Sequence, residues 1–209
     1  KGILNKSGSQ AWVNCPRRMW PLYRNIKQYF YGKNKVSYNL SGGNWGMGCN
    51  AIHFIDCFEY LTNSKPKEIN TKLLDQVIHK SKRKGFIEFT GILEISFDNQ
   101  NSMILESVAD SLSKPFSITI SSEDTTISID ENLGKGEIIL QGEPKKEFTF
   151  RVPFQSELTN LVAKEIMFDN KCPLPSYNES AMQHRVLLDA FNEHSGNILG
   201  KKIEYCRIT

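Results

Sequence analysis

The sequence lacks the features that define several common functional classes. It has no apolar run of the ~20 residues needed to span a bilayer and no apolar segment at its start that would serve as a signal peptide. Neither the GxSxG pattern of serine hydrolases nor the GxxxxGK[ST] phosphate loop occurs. The five cysteines form no CxxC pair and leave an odd number, which argues against a zinc ribbon and a disulfide framework. We therefore expect a soluble, cytoplasmic protein that binds no metal and no membrane.

A large excess of one charge is also missing. The chain has 26 basic and 23 acidic residues and a formal net charge of +3, so we expect no nucleic-acid partner. At 209 residues and 39% hydrophobic, it can bury one sizeable core. We interpret residues 1–10 as a connecting segment and residues 11–209 as a single domain. Because the chain begins at Lys1 and not at a methionine, we expect it to be a piece of a longer protein.

Hydrophobic periodicity predicts an α+β domain. Helical spacing covers residues 21–31 and 47–61, and residues 35–40 alternate like a strand with one wet face. Six further strands are predicted, at residues 86–97, 102–107, 116–121, 125–130, 137–141 and 147–152. Short polar connections between most of them indicate an antiparallel meander. Two helices follow at 154–169 and 177–194, the second after a capping-box spacing from Ser176 to Glu179. We predict a broad, mostly antiparallel open sheet with helices packed on one face.

Another helix is predicted over residues 71–84. Its apolar residues share one face, and a basic cluster of Lys80, Lys82, Arg83 and Lys84 occupies its last turns. Basic side chains favour the C-terminal end of a helix because they complement the helix dipole. We therefore interpret the basic cluster as the C-terminal end of a helix and not as a contact with nucleic acid.

The most informative stretch is residues 41–56, where a glycine-rich loop containing Trp45 leads into a strongly apolar helix. Residues 46–51 match GxGxxA, a variant of the dinucleotide fingerprint. The strand before them alternates, however, and no second βα unit with an acidic residue follows. A nucleotide-binding loop is therefore disfavoured.

Polar residues on this helix favour a functional site. Asn50, His53 and Asp56 are spaced by three and share one stripe, with Cys49 one turn before His53. A lone histidine is more often a satisfied core residue, but three aligned polar groups beside a glycine-rich loop favour a site. His53 is the candidate for proton exchange near neutrality.

Asn14, Arg17 and Arg18 lie where a short extended run turns into a helix. A guanidinium there could bind a hydroxyl or phosphate group, although paired arginines at a turn often only contact water. The other histidines, at positions 79, 184 and 194, have no partners at metal-ligand spacing, so we assign them no chemistry.

These motifs resemble the C-terminal domain of the glucose-fructose oxidoreductase and inositol dehydrogenase family, known as Gfo/Idh/MocA. The similarity rests on four segments of the chain, namely residues 14–18, 46–56, 81–86 and 207–209. It implies an α+β domain that supplies substrate contacts and a dimer interface through its sheet. A separate N-terminal Rossmann domain would bind NAD or NADP.

The resemblance also implies an activity and roles for residues. Hydride would pass between the nicotinamide and a carbinol carbon of a sugar, cyclitol or nucleotide sugar. His53 would hydrogen-bond the reacting hydroxyl; the substrate-binding set would be Asn14, Arg17, Arg18, Trp45, Cys49 and Asn50. The Glu-Lys-Pro motif that carries the family's catalytic lysine does not occur here, so we expect the chain alone to be inactive.

Cys49 departs from the family pattern, because many members carry an aspartate four residues before the histidine. Without a carboxylate to raise the pKa of His53, positioning of the substrate is favoured over proton shuttling. Two alternatives stay open, namely a non-catalytic carbohydrate-binding or protein-assembly domain and an interaction module that works through its sheet. We also expect a homodimer or a dimer of dimers, since an exposed sheet face needs covering.

Overall fold

A computed structural model describes residues 2–110, 114–169 and 171–208. Within these residues the chain forms five α-helices and ten strands. The helices are α1 (Gly2–Ser7), α2 (Pro21–Ile26), α3 (Met47–Thr62), α4 (Gln155–Asp169) and α5 (Tyr177–Leu199). The strands are β1 (Ser37–Gly43), β2 (Pro66–Asn70), β3 (His79–Lys80), β4 (Ile87–Glu88), β5 (Gly91–Phe97), β6 (Ser102–Val108), β7 (Ser117–Ser121), β8 (Thr125–Asp130), β9 (Lys135–Leu140) and β10 (Lys146–Thr149).

Eight of these strands form one sheet in the order β10-β9-β8-β7-β1-β6-β5-β2, while β3 and β4 pair separately. Neighbouring strands are antiparallel except for β1 and β6, which run parallel from Ser37 opposite Ser102 to Gly43 opposite Val108. The predicted α+β class and the mostly antiparallel sheet are confirmed. The sequence did not reveal that β1 inserts between β6 and β7 and so divides the meander.

The core lies between one face of the sheet and the helices. Alternate strand residues such as Tyr38, Leu105 and Ile127 point into it and are fully buried. Phe58 of α3 packs against Tyr38 and Phe97, with ring centroids 5.5 and 4.9 Å apart. Residues of α3 are buried around most of its circumference, which explains its nearly continuous apolar sequence. The other sheet face carries partly or fully exposed side chains.

The helix predicted over residues 71–84 is wrong. Leu74 bridges to Gly91, Asp75 donates its backbone N–H to Thr90, and His79–Lys80 pairs with β4. These bonds to the edge of the sheet hold the segment extended and leave Leu73 and Val77 each 53% exposed. Tertiary pairing has therefore overridden a local helical pattern.

Other boundaries differ in smaller ways. The predicted strand 86–97 is interrupted between β4 and β5, because Gly91, the first residue of β5, adopts a φ of +100°. The predicted helix at residues 21–31 becomes α2 followed by a 3-10 turn at Lys27–Tyr29. The capping box at α5 is confirmed, since Ser176 and Glu179 exchange both expected hydrogen bonds. The matched segment 207–209 ends at Thr209, which lies outside the described residues.

No helix among the described residues is long and apolar enough to cross a membrane.

The contact of Gly91 with the segment before it can be tested by mutation. A Cβ at Gly91 would lie 2.6 Å from the backbone of both Leu73 and Asp75, in addition to the strain of a positive φ. Gly91→Ala should therefore lower the free energy of unfolding by about 3 kcal/mol or more in urea denaturation. Gly142→Ala is the matched control, because its φ is +79° but no atom lies within 4 Å. The control should lose only about 1–2 kcal/mol, and equal losses would contradict the steric argument.

Candidate functional site

The N-terminus of α3 is closed by a carboxylate from elsewhere in the chain. Gly46 precedes the helix in the left-handed region and has no side chain to cap it. The carboxylate of Glu88 instead accepts hydrogen bonds from the backbone N–H groups of Gly48 and Phe89. A Cβ at Gly48 would lie 2.8 Å from a Glu88 oxygen and 3.0 Å from Ile208. Glycine at 48 thus makes room for an internal carboxylate at a place where a dinucleotide fingerprint would hold phosphate.

Burial of Glu88 has an electrostatic consequence. Desolvation raises the pKa of this carboxyl above its usual value, although the two backbone N–H groups oppose that shift. The anionic form is nevertheless well placed, because the first turn of a helix favours negative charge. Glu88 therefore supplies both the missing cap and the charge that the helix end prefers.

Three of the predicted substrate-binding residues surround this helix end, and each has an internal partner. The side-chain amide of Asn50 donates to the backbone oxygen of Trp45 at 2.8 Å, and the Trp45 indole N–H donates to the backbone oxygen of Glu106 at 2.8 Å. The Cys49 thiol lies 3.5 Å from the Gly46 oxygen. Asn50 and Cys49 stay partly exposed. These internal hydrogen bonds fix the glycine-rich loop, which forms one wall of the candidate site.

His53 lies one turn further along α3 and is partly buried. Neither ring nitrogen forms a hydrogen bond within the described part of the chain, and Nδ1 is shielded from solvent. Burial lowers the pKa of His53 to about 4, with smaller contributions from the nearby Arg17 and His184. The imidazole is therefore neutral at pH 7. The Nε2 atom is therefore the one available to a ligand hydroxyl.

The paired arginines do not lie free in water. Arg17 forms a bidentate ion pair with Glu131, with nitrogen–oxygen distances of 2.9 and 2.6 Å, and its guanidinium lies 4.0 Å from the ring centroid of Phe54. Arg18 forms a second bidentate pair with Asp56, at 2.8 and 2.7 Å. Charged groups this deeply buried require such partners.

The polar residues of α3 and of the segment before α2 therefore have different roles. Asp56 is 0% exposed and is occupied by Arg18, so it has a structural role. Asn14 accepts a hydrogen bond from Gln155 at the start of α4, and no hydrogen bond joins it to α3 among the described residues. Trp45, Cys49, Asn50 and His53 are brought together, with Arg17 behind them.

Sequence reasoning missed three residues that shape this site. Glu88 comes from β4, Glu131 follows β8, and His184 belongs to α5. Each is far from α3 in sequence, and no spacing pattern connects them to it. Among the described residues, no group of three His, Cys, Asp or Glu side chains could hold a metal ion.

Neither a family model nor a curated protein matches this sequence. Solved structures do match. UDP-N-acetylglucosamine 3-dehydrogenase GnnA from Acidithiobacillus ferrooxidans aligns at a TM-score of 0.63 and 12% identity over 90% of this chain. The dehydrogenase MviM from Clostridium difficile aligns at 0.61 and 16% over 92%. A super-repressor mutant of Gal80p from Saccharomyces cerevisiae aligns at 0.62 and 13% over 97%.

This chain spans 62%, 65% and 66% of the lengths of those three structures, respectively. At such low identities the similarity concerns the fold. The chain has the fold seen in Gfo/Idh/MocA-type dehydrogenases, and the predicted resemblance is confirmed at that level.

Titration of His53 tests the electrostatics of the site. We expect its imidazole protons, followed by NMR and assigned with His53→Gln, to titrate with a midpoint of about 4. Cys49→Asp places a carboxylate one turn away and should raise that pKa. Cys49→Asn introduces a side chain of the same shape as aspartate but without its charge, and it should not raise the pKa. The wild type should lose stability relative to His53→Gln as the pH drops from about 6.5 to about 4, because in that range the unfolded wild-type chain binds the His53 proton and the folded chain does not. A midpoint near 6.5 in the folded chain would contradict this description.

Proposed function

We propose that this chain is the substrate-binding and dimerisation domain of an NAD(P)-dependent oxidoreductase. The reaction would transfer hydride between the nicotinamide and a carbinol carbon of a sugar, cyclitol or nucleotide sugar. The observation that carries the proposal is His53, whose ring nitrogens form no hydrogen bond with any described residue, beside an internally hydrogen-bonded loop on a fold shared with dehydrogenases. The name of GnnA, a UDP-N-acetylglucosamine 3-dehydrogenase, favours the nucleotide-sugar class.

The cofactor would be held by another domain of the same protein. The nicotinamide would accept or release the hydride. The loop at residues 46–51 does not fit a dinucleotide, because Glu88 occupies the Gly48 amide and fills the space beside it. The matched structures are longer than this chain, which supports an additional Rossmann domain.

His53 would position the substrate hydroxyl by a hydrogen bond. Its lowered pKa disfavours the imidazolium, so a lysine outside this chain would be the main acid and base. Trp45, Cys49 and Asn50 would contact the sugar at the rim. Arg17 and Arg18 are held in ion pairs, so we propose that they stabilise the wall instead of contacting the substrate. Asn14 remains a candidate for substrate contact at the edge of the domain.

Activity of the protein expressed with its Rossmann domain tests this proposal. Reduction of NAD and NADP would be followed with a panel of nucleotide sugars, free sugars and cyclitols. His53→Ala should lower kcat/KM roughly 100-fold on the true substrate, because the hydroxyl is no longer oriented. His53→Gln keeps a hydrogen-bonding group and should recover part of that loss. Unchanged turnover in His53→Ala would remove His53 from the mechanism, and equal losses in both variants would favour proton transfer over positioning.

The open sheet face would form a homodimer. Ile104 of β6 and Ile139 of β9 lie on this outer face and are 39% and 45% exposed. A second copy of the sheet would cover them.

Light scattering of the 209-residue chain should give twice the monomer mass of 23.9 kDa. Ile104→Lys combined with Ile139→Lys should shift that mass towards the monomer, because charges would be buried in the interface. Leu133→Lys is the control, since Leu133 is exposed in the turn between β8 and β9. A wild-type monomer at every concentration would rule out the dimer.

A second candidate is a non-catalytic carbohydrate-binding or protein-assembly domain. The specific observation in its favour is the match to a super-repressor mutant of Gal80p, whose name indicates a repressor and not a dehydrogenase. In that case His53 would only hold a ligand. A purified full-length protein that binds no nicotinamide would favour this candidate.

A further inference from the structure

The basic hairpin, which we define as residues 79–88, has no helix end that would account for its charges. At the C-terminal end of the helix predicted from the sequence, Lys80, Lys82, Arg83 and Lys84 would complement the helix dipole. The segment is instead a pair of short strands joined by a turn. No helix end lies at these residues, so their clustering requires another cause.

The charges of the basic hairpin are not neutralised by the protein. All four side chains are exposed, and none forms an ion pair within the part of the chain that the structure describes. The neighbouring groove adds three more basic residues and a single acidic one, namely Lys201, Lys202, Arg207 and Glu204. The hairpin and the groove together have seven basic side chains against two acidic ones, Glu88 and Glu204, and this excess of five exceeds the net charge of +3 of the whole chain. The modest overall charge therefore conceals a concentrated positive patch.

Backbone hydrogen bonds hold this patch together. The turn is closed by bonds from Ser81 N–H to the Phe86 oxygen and from Phe86 N–H to the Arg83 oxygen, at 3.0 and 3.2 Å. Ile87 N–H donates to the Arg207 oxygen at 2.8 Å, which fastens the C-terminal segment beside the hairpin. Like charges gathered on one short turn repel one another, and an anionic ligand would relieve that repulsion.

The basic hairpin also adjoins the candidate site. Its last residue, Glu88, is the one whose carboxylate closes the N-terminus of α3 at Gly48. Cys49, Asn50 and His53 lie on the first two turns of that helix. The hairpin thus contacts this end of α3 through Glu88, and Lys84 precedes Glu88 by four residues, which an extended backbone spans in about 13 Å.

We propose that the basic hairpin binds the diphosphate group of a nucleotide-sugar substrate. Arg83 offers a fork that matches phosphate oxygens, and the adjacent lysines supply point charges on the same compact turn. A duplex nucleic acid presents its phosphates along an extended backbone, whereas the four basic side chains of the hairpin are concentrated on one short turn. The inference rests on the proposed function for the sugar, but the recognition of a diphosphate can be measured without turnover.

Calorimetric titration of the 209-residue chain tests this inference. The ligands would be uridine diphosphate, N-acetylglucosamine as a neutral comparison, and a single-stranded oligonucleotide. A triple variant with Lys82→Gln, Arg83→Gln and Lys84→Gln should weaken uridine diphosphate binding at least tenfold and reduce its dependence on salt. The control variant carries Lys135→Gln, Lys145→Gln and Lys146→Gln on the far edge of the sheet, and it should bind uridine diphosphate like the wild type.

The outcomes separate this inference from the proposed function. Circular dichroism and urea midpoints should match among the variants, because all six substituted side chains are exposed. Equal uridine diphosphate affinity in the triple variant and the control, or no binding by the wild type, would overturn the diphosphate site. Tighter binding of the oligonucleotide than of uridine diphosphate would overturn it in favour of nucleic acid. Diphosphate binding without any dehydrogenase activity in the full protein would contradict only the proposed function.

Discussion

Burial of two arginine–carboxylate pairs is the constraint on which the rest of the structure depends. Arg17 and Arg18 are adjacent in the 3-10 turn at Pro16–Met19, yet they reach in different directions, to Glu131 after β8 and to Asp56 on α3. Removing one partner of such a buried pair typically costs about 3–5 kcal/mol, because the other charge is left unpaired. The turn therefore ties the sheet to α3. Because Asp56 is buried, only Asn50 and His53 of the three aligned polar residues are partly accessible, and both lie in the first two turns of α3.

The second constraint is the Glu88 cap, and it changes the meaning of the glycine-rich loop. A glycine-rich loop before a helix is often interpreted as a phosphate cradle, since both glycine and the helix N-terminus permit close approach of an anion. Here the approaching anion is a side chain of the protein. A ligand must then approach from the side of α3 and not along its axis. That side carries Cys49, Asn50 and His53, and β4 contacts the same end of the helix through Glu88.

Features that depend on local chemistry could be predicted from the sequence. The bounds of α3, the strand at residues 125–130 and the capping box of α5 follow from periodicity and from contacts a few residues apart. The segment at residues 71–84 could not be predicted, because its backbone bonds to a strand edge that only the fold creates. The same holds for the site. Arg18 and Asp56 are 38 residues apart, Gly48 and Glu88 are 40, and Arg17 and Glu131 are 114. The aligned polar residues of α3 could be located from the sequence. The side chains from other elements that pair with them or shift their pKa values could not.

A fold shared by dehydrogenases and Gal80p leaves function to be argued from the site. Because burial lowers the pKa of His53 to about 4, its neutral imidazole is a weak base, so its contribution would come from orientation of the hydroxyl and would depend on how firmly the sugar is held. Binding energy from a part of the substrate that does not react can provide that hold. A diphosphate bound at the basic hairpin would lie away from the reacting carbon and would hold the sugar in place beside α3. The basic hairpin and His53 would then act together on one substrate. A substrate that lacks its phosphates should therefore lose turnover as well as affinity.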